Sequence, residues 1–262
     1  MSLNSDIVRV VRGTPTRGTP QIQSERSIQY ATRGMCTIMP PFASGSLLAN
    51  MFNRLWCNAL DLYEAGAADL FLLHHDDIEP RTICWLDVLV QEMRRTGAAI
   101  LCPVILLKNI GGETSTAMHI PGTWRTRRLT IEECWQLPTT FHATDVHKLW
   151  PRMAQTNLVI NSGLLLVDLS RPEFLRTDDD GELEFFFTVQ DRCVRGDDGR
   201  WKAESWSEDW DFSARCTAAG LPVYATTAVE VIHHGNGQWC NRNPAEPPAR
   251  LAMEQKELTH AA

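Results

Sequence analysis

Four consecutive apolar residues, Leu70 to Leu73, run straight into His74, His75, Asp76 and Asp77, and this junction constrains the chain more than any other. A short apolar run that ends in polar residues reads as a buried strand. In open α/β sheets, ligands bind outside the carboxyl ends of the strands, so a polar cluster placed there is a site candidate. The four groups can titrate or bind a metal, and two adjacent carboxylates are hard oxygen ligands suited to magnesium or manganese. The plain alternative is a solvated turn in which Asp76 or Asp77 caps the next helix.

The patterns on either side agree with such a sheet. Met35 to Met39 reads as a first strand, stopped by Pro40-Pro41. A helix opening at Asn50 carries Phe52, Leu55, Trp56, Ala59, Leu60 and Tyr63 on one stripe, with Gly66 after its end. After the strand at 69–73, a second helix spans 84–95 and closes at Gly97, and residues 98–107 form another strand, bent at Pro103. Leu164 to Val167 is apolar on both faces and therefore central in the sheet. A helix over 208–219 and short strands near Val223 and over 229–232 follow. The alternation predicts an α/β fold with a mixed, mostly parallel central sheet flanked by helices. Residues 1–34 read as a poorly ordered lead-in, 35–240 as one domain, 109–157 as an irregular insertion within it, and 241–262 as a tail.

Composition bears on partners and address. A formal net charge of −7 argues against a binder of nucleic-acid backbones, and Arg125, Arg127 and Arg128 read as a solvated face. None of the eight cysteines forms a C-x-x-C pair, so buried, reduced thiols fit better than structural zinc and suggest the cytoplasm. No run approaches the length of a membrane span, and the first residues lack the pattern of a signal peptide.

Three segments carry chemistry in a fixed order. They are His75-Asp76-Asp77-Ile78 after a strand; Asn161-Ser162-Gly163 leading into Leu164 to Asp168; and Ser207-Glu208-Asp209-Trp210-Asp211-Phe212, followed by His233-His234-Gly235. In this order and spacing they resemble the nucleotide-sugar glycosyltransferases of GT-A fold, with the D-x-D motif of family-2-like and glycogenin-like enzymes. The resemblance implies a GT-A-like domain over 35–240 that moves a sugar from a nucleoside diphosphate sugar to a hydroxyl acceptor, a glycan or other small molecule. It also implies a divalent cation, Mn2+ or Mg2+, with inversion somewhat favoured.

Carried over residue by residue, the resemblance makes Asp77 and His233 metal ligands and puts Asp76 in the middle of the motif. His75 stands where the family has an Asp that contacts the nucleoside. Asn161 and Gly163 fall on the sheet segment beside the donor sugar, where glycine lets backbone approach a ligand. Asp209 takes the place of the general base, with Glu208 set to contact acceptor or support the helix start. Adjacent helical residues point about 100° apart, so the two acids do not share one reacting hydroxyl. The segment 109–157 becomes the candidate for acceptor recognition. The same residues leave open a metal-dependent diphosphate or phosphoester hydrolase, and a nucleotide- or sugar-binding protein without turnover.

Overall fold

The structure, a computed structural model, describes residues 7–16, 21–40, 42–45, 47–109 and 111–245. Its first part runs β1 (Val8–Thr16), α1 (Ile22–Ile28), β2 (Cys36–Met39), β3 (Phe42–Ser44), α2 (Leu48–Glu64), β4 (Leu70–His74), β5 (Ile78–Pro80), α3 (Trp85–Thr96) and β6 (Ile100–Pro103). The middle holds β7 (Glu113–His119), β8 (Thr126–Thr130), α4 (Ile131–Trp135), β9 (Thr140–Phe141), α5 (Ala143–Leu149) and β10 (Asn157–Val159). There follow β11 (Leu164–Asp168), β12 (Gln190–Arg195), β13 (Trp201–Trp206), α6 (Glu208–Ala218), β14 (Val223–Thr226), β15 (Val231–His234) and β16 (Gln238–Cys240).

The main sheet has the order β2-β1-β4-β11-β6-β14-β9, with β3 also on β1. β1 is parallel to β2 and β4, and β6 is parallel to β14. β11 is antiparallel to both its neighbours, and β9 to β14. Side chains alternate across a strand, and β4 shows what that does here. Phe71 and Leu73 pack with Phe52, Leu55 and Trp56 of α2, whereas Leu70 and Leu72 pack with Trp85, Leu89 and Met93 of α3. Helices thus cover both faces, and strands buried on both sides read as unbroken apolar runs. The expected mixed, mostly parallel sheet flanked by helices is present.

Residues 8–16, expected as lead-in, are instead β1, an inner strand of the sheet, and Ile22–Ile28 is a helix. The strand escaped the pattern because Arg12, only 1% exposed, sits inside it. A buried charge is tolerated where it is paired and hydrogen-bonded. Arg12 Nε donates to His74 Nδ1 at 3.1 Å, and its Nη2 donates to Glu25 Oε1 at 2.8 Å. The strand at 36–39 is consequently the edge strand β2 rather than the first. Residues 113–159 are likewise ordered: β10, β7 and β8 form a separate antiparallel sheet. Capping boxes at Thr130/Glu133 and His142/Asp145 open α4 and α5. In the expected tail, Asn241 is buried and donates to the carbonyls of Val104 and Val229. Residues 246–262 lie outside the described residues. All eight cysteines are free thiols. Among the described residues no helix is long and apolar enough to cross a membrane.

Candidate functional site

Two turns meet where β4 ends and β11 begins, because Leu164 lies opposite His74 in the antiparallel register. The His75 backbone N–H donates to Gly163 O at 2.9 Å and ties one turn to the other. A Cβ at Gly163 would stand 2.9 Å from Ile105 Cδ1 and 3.3 Å from Ile78 Cγ1. The packing of two isoleucines alone is thus enough to require glycine there. Asn161 is buried and turned inward. Its Nδ2 donates to Pro103 O at 3.1 Å and its Oδ1 accepts from Gly163 N at 3.0 Å. Both ends of its amide are thus engaged within the protein, in holding the turn.

β15 pairs with β5 so that His233 lies opposite Ile78, next to the turn that carries Asp77. His233 Nε2 is 3.4 Å from Asp77 Oδ2. Its other nitrogen, Nδ1, is 2.8 Å from Leu106 O, and since a carbonyl only accepts, Nδ1 must carry the proton. His234 turns away, with Nε2 2.8 Å from Glu79 Oε2. Lys108, which the motif pattern did not single out, puts its Nζ 2.5 Å from Asp77 Oδ2. Burial pushes the Asp77 carboxyl up, but hydrogen bonds from His233 and Lys108 and the nearby positive charge outweigh it and hold the group below the ordinary carboxylate range. Gly235 leaves room for the lysine stem, since a Cβ there would lie 2.9 Å from Lys108 Cδ.

The neighbours of Asp77 differ in character. His75 packs against Phe52, with ring centroids 5.1 Å apart, and its Nε2 is 3.5 Å from Ser162 Oγ. Desolvation takes its pKa down to about 4 against the opposing pull of Asp77, so the ring is neutral at pH 7. Asp76 accepts from Thr16 Oγ1 at 3.0 Å. Burial raises the Asp76 carboxyl, and the threonine bond acts in the other direction.

Ser162 faces the start of α6, where its backbone N–H helps to hold the Asp209 carboxyl down. Asp209 also accepts from the Ser207 hydroxyl and from Trp210 N, the latter at 2.8 Å. Burial raises its pKa against these bonds. Glu208 is pushed up to about 7, first by burial and then by the charge of Asp209; its own backbone N–H is the one hydrogen bond opposing the rise. Beside them Trp210 Nε1 donates to Ser115 O at 3.0 Å, and Arg128 stacks 4.5 Å above the Trp210 ring. Strands β7 and β8 of the 109–157 segment thereby reach the start of α6.

Among the described residues no three His, Cys, Asp or Glu side chains converge on one point as a self-sufficient metal site. Asp77 and His233 would supply two ligands. Their chemistry fits a divalent cation on one observation: with Nδ1–H committed to Leu106 O, His233 presents Nε2 to a carboxylate oxygen, donating to it when protonated and offering a lone pair for a cation when not. A backbone carbonyl behind the ring is the usual support of a ligating histidine. Magnesium and manganese are commonly held by one or two protein ligands and completed by substrate phosphates and water. Lys108 is the resident competitor for the same carboxylate.

No family model and no curated protein matches the chain. Among solved structures, A197 from STIV is 13% identical with a TM-score of 0.48, covering 87% of each chain. The UDP-glucose phosphorylase from Trypanosoma brucei is 12% identical with a TM-score of 0.34, over 68% of this chain and 37% of that one. Fold and site together define an α/β protein whose mixed sheet carries a carboxylate–histidine–lysine cluster just beyond the end of β4. Sequence reasoning missed Lys108 and Thr16. Lys108 follows the apolar run 98–107, so the strand-end logic that found Asp77 would have reached it. Thr16 lay in the stretch read as lead-in.

Proposed function

We propose that this protein is a cation-assisted glycosyltransferase of GT-A-like fold that moves a sugar from a nucleoside diphosphate sugar to a hydroxyl acceptor. The meeting of Asp77 with His233, contributed by distant parts of the chain, carries the reading. A divalent cation at that pair would supply Lewis-acid stabilisation of charge on the leaving diphosphate. Asp77 and His233 hold that position, and Lys108 offers a further positive charge to the same phosphates. Neutral His75 and Asp76 lie alongside as hydrogen-bonding groups for the nucleoside end.

The proton of the acceptor hydroxyl goes, in this proposal, to Glu208 in place of Asp209. Asp209 accepts from Ser207 and Trp210, whereas among the described residues no other side chain holds the Glu208 carboxylate, which titrates near 7. A base whose pKa lies near the working pH combines the right protonation state with adequate basicity. A base acting on the attacking hydroxyl belongs to a single displacement with inversion. Arg128 and Trp210 beside it form the acceptor wall, which keeps acceptor recognition with the 109–157 segment.

The test is a melting panel of nucleoside diphosphate sugars with and without Mn2+, followed by chromatography of donor consumption with and without candidate acceptors. One nucleotide class should raise Tm only with the metal, and Asp77→Asn should abolish the shift. Donor consumption that ignores the acceptor would move the assignment to a hydrolase, and binding without consumption to a non-catalytic binder. If no nucleotide diphosphate binds, the reading falls.

A further inference from the structure

The antiparallel β10-β7-β8 sheet has two faces with different company. On one, Ala117 and Val159 pack with Trp206 and Trp210, and Arg128, opposite Ala117 in the register, stacks on Trp210. The next cross-strand pair, Met118 with Arg127, must point the other way. There it lines a cavity of about 270 Å3 whose floor includes the buried Met118 and Met153. A second cavity of about 330 Å3 adjoins it and shares Ile120, Arg152 and Thr156. The sheet itself separates both from the start of α6.

The charge on this rim is unusual for a chain with a net charge of −7. Arg127 is paired with Glu133. Arg125 and Arg152 also line the cavity, and among the described residues neither forms an ion pair. Ile120, 41% exposed, lies at the mouth of both cavities. The basic run 125–128, read from sequence as one solvated face, is thus divided: Arg128 serves the tryptophan face and Arg125 and Arg127 the cavity.

We propose that this cavity is a second ligand site, for a small amphipathic anion that carries a phosphate or carboxylate on a short apolar body. Guanidinium groups match both anions in geometry and are weakly hydrated, so two unpaired ones at one rim favour such a head group. Methionine side chains adapt to irregular apolar bodies, and Met118, Met153 and Ile120 offer that surface. The volume falls just below the usual range for ligand cavities of about 300–1,000 Å3, which selects a small molecule over a polymer.

Titration calorimetry with hexyl phosphate, hexanoate, hexanol and inorganic phosphate tests the site, since both halves of the ligand are required. At least one of the two amphipathic anions should bind at one per chain, and hexanol and inorganic phosphate at least tenfold more weakly; the phosphate and carboxylate arms identify the head group. Replacing both rim arginines, Arg125→Ala with Arg152→Ala, should weaken binding tenfold or more without moving Tm, because both side chains are exposed. Ile120→Ser should reduce the advantage of the alkyl anion over inorganic phosphate. Asp77→Asn should leave the binding unchanged, which keeps this site independent of the transferase reading in either direction. Absence of saturable binding by both anions at millimolar concentration would overturn the proposal. So would binding that survives loss of both arginines, or binding that is lost in Asp77→Asn.

Discussion

Glu208 and Asp209 are neighbours at one helix start, and their surroundings divide the work between them. Glu208→Gln should lower turnover a hundredfold or more with donor binding little changed, the loss expected for a positioned base. Asp209→Asn should instead lower Tm, because it disturbs the bonds to Ser207 and Trp210. Steady-state kinetics and melting of both variants separate the roles; the reverse pattern would return the base to Asp209. The active form of Glu208 is the carboxylate, so turnover should rise with pH through about 7. Stability runs the other way: between the ordinary 4.5 and about 7 the folded state holds the proton that the unfolded chain releases. Stability therefore falls with rising pH across that window, and melting curves of Glu208→Gln should lack this component. Lys108 invites a second experiment on single residues. Lys108→Gln frees Asp77, so calorimetry should show tighter binding of Mn2+ alone together with weaker binding of a nucleoside diphosphate. Tighter binding of both would mean that the lysine only obstructs the site.

At the scale of elements, the two turns around β4 and β11 stand or fall on one glycine. Gly163→Ala places a methyl 2.9 Å from Ile105 Cδ1 in a region where Ile105 is buried, so about 1–3 kcal/mol of stability should be lost in urea unfolding. Ile105→Val removes the colliding carbon and should recover part of the loss in the double variant; no recovery would place the strain elsewhere. The glycine itself was legible from the sequence, but its reason was not, because the isoleucines it admits come from other segments. β4 and β11 were legible because burial on both faces leaves an unbroken apolar run. The order of the motifs also led to His233 beside Asp77, since each stands at the edge of such a run. β1 was hidden because Arg12 is satisfied from inside by His74 and Glu25, partners that local pattern does not reveal. The short strands β7, β8 and β10 were hidden for a related reason: each is held by partners across a separate sheet, and prolines and glycines between them read as loop. Lys108 stands at a strand end as Asp77 does, but a single lysine there is ordinarily solvated, and its pairing with Asp77 comes from the fold.

The whole molecule offers a cation little more than a pair. The sheet brings Asp77 and His233 together, and among the described residues no third ligand of the same kind joins them. An ion held that way depends on phosphate oxygens to complete its shell, so metal and nucleotide must help each other to bind. Mn2+ alone should therefore move Tm little, and the nucleotide sugar alone should move it little, since Lys108 contributes one charge. Together, at about 100 times the dissociation constant, they should stabilise the fold by about 2.7 kcal/mol. A chelator added to that mixture should return Tm to the value of the nucleotide alone. Reciprocity makes the test strict: the factor by which metal tightens nucleotide must equal the factor by which nucleotide tightens metal. Asp77→Asn should remove the coupling while leaving the fold in place, because the carboxylate lies at the surface of the sheet's edge turn and only partly buried. A full shift with metal alone would instead reveal a site that the protein completes by itself. In that case the pairing of Asp77 with His233 would not be the feature that selects a phosphate-bearing substrate.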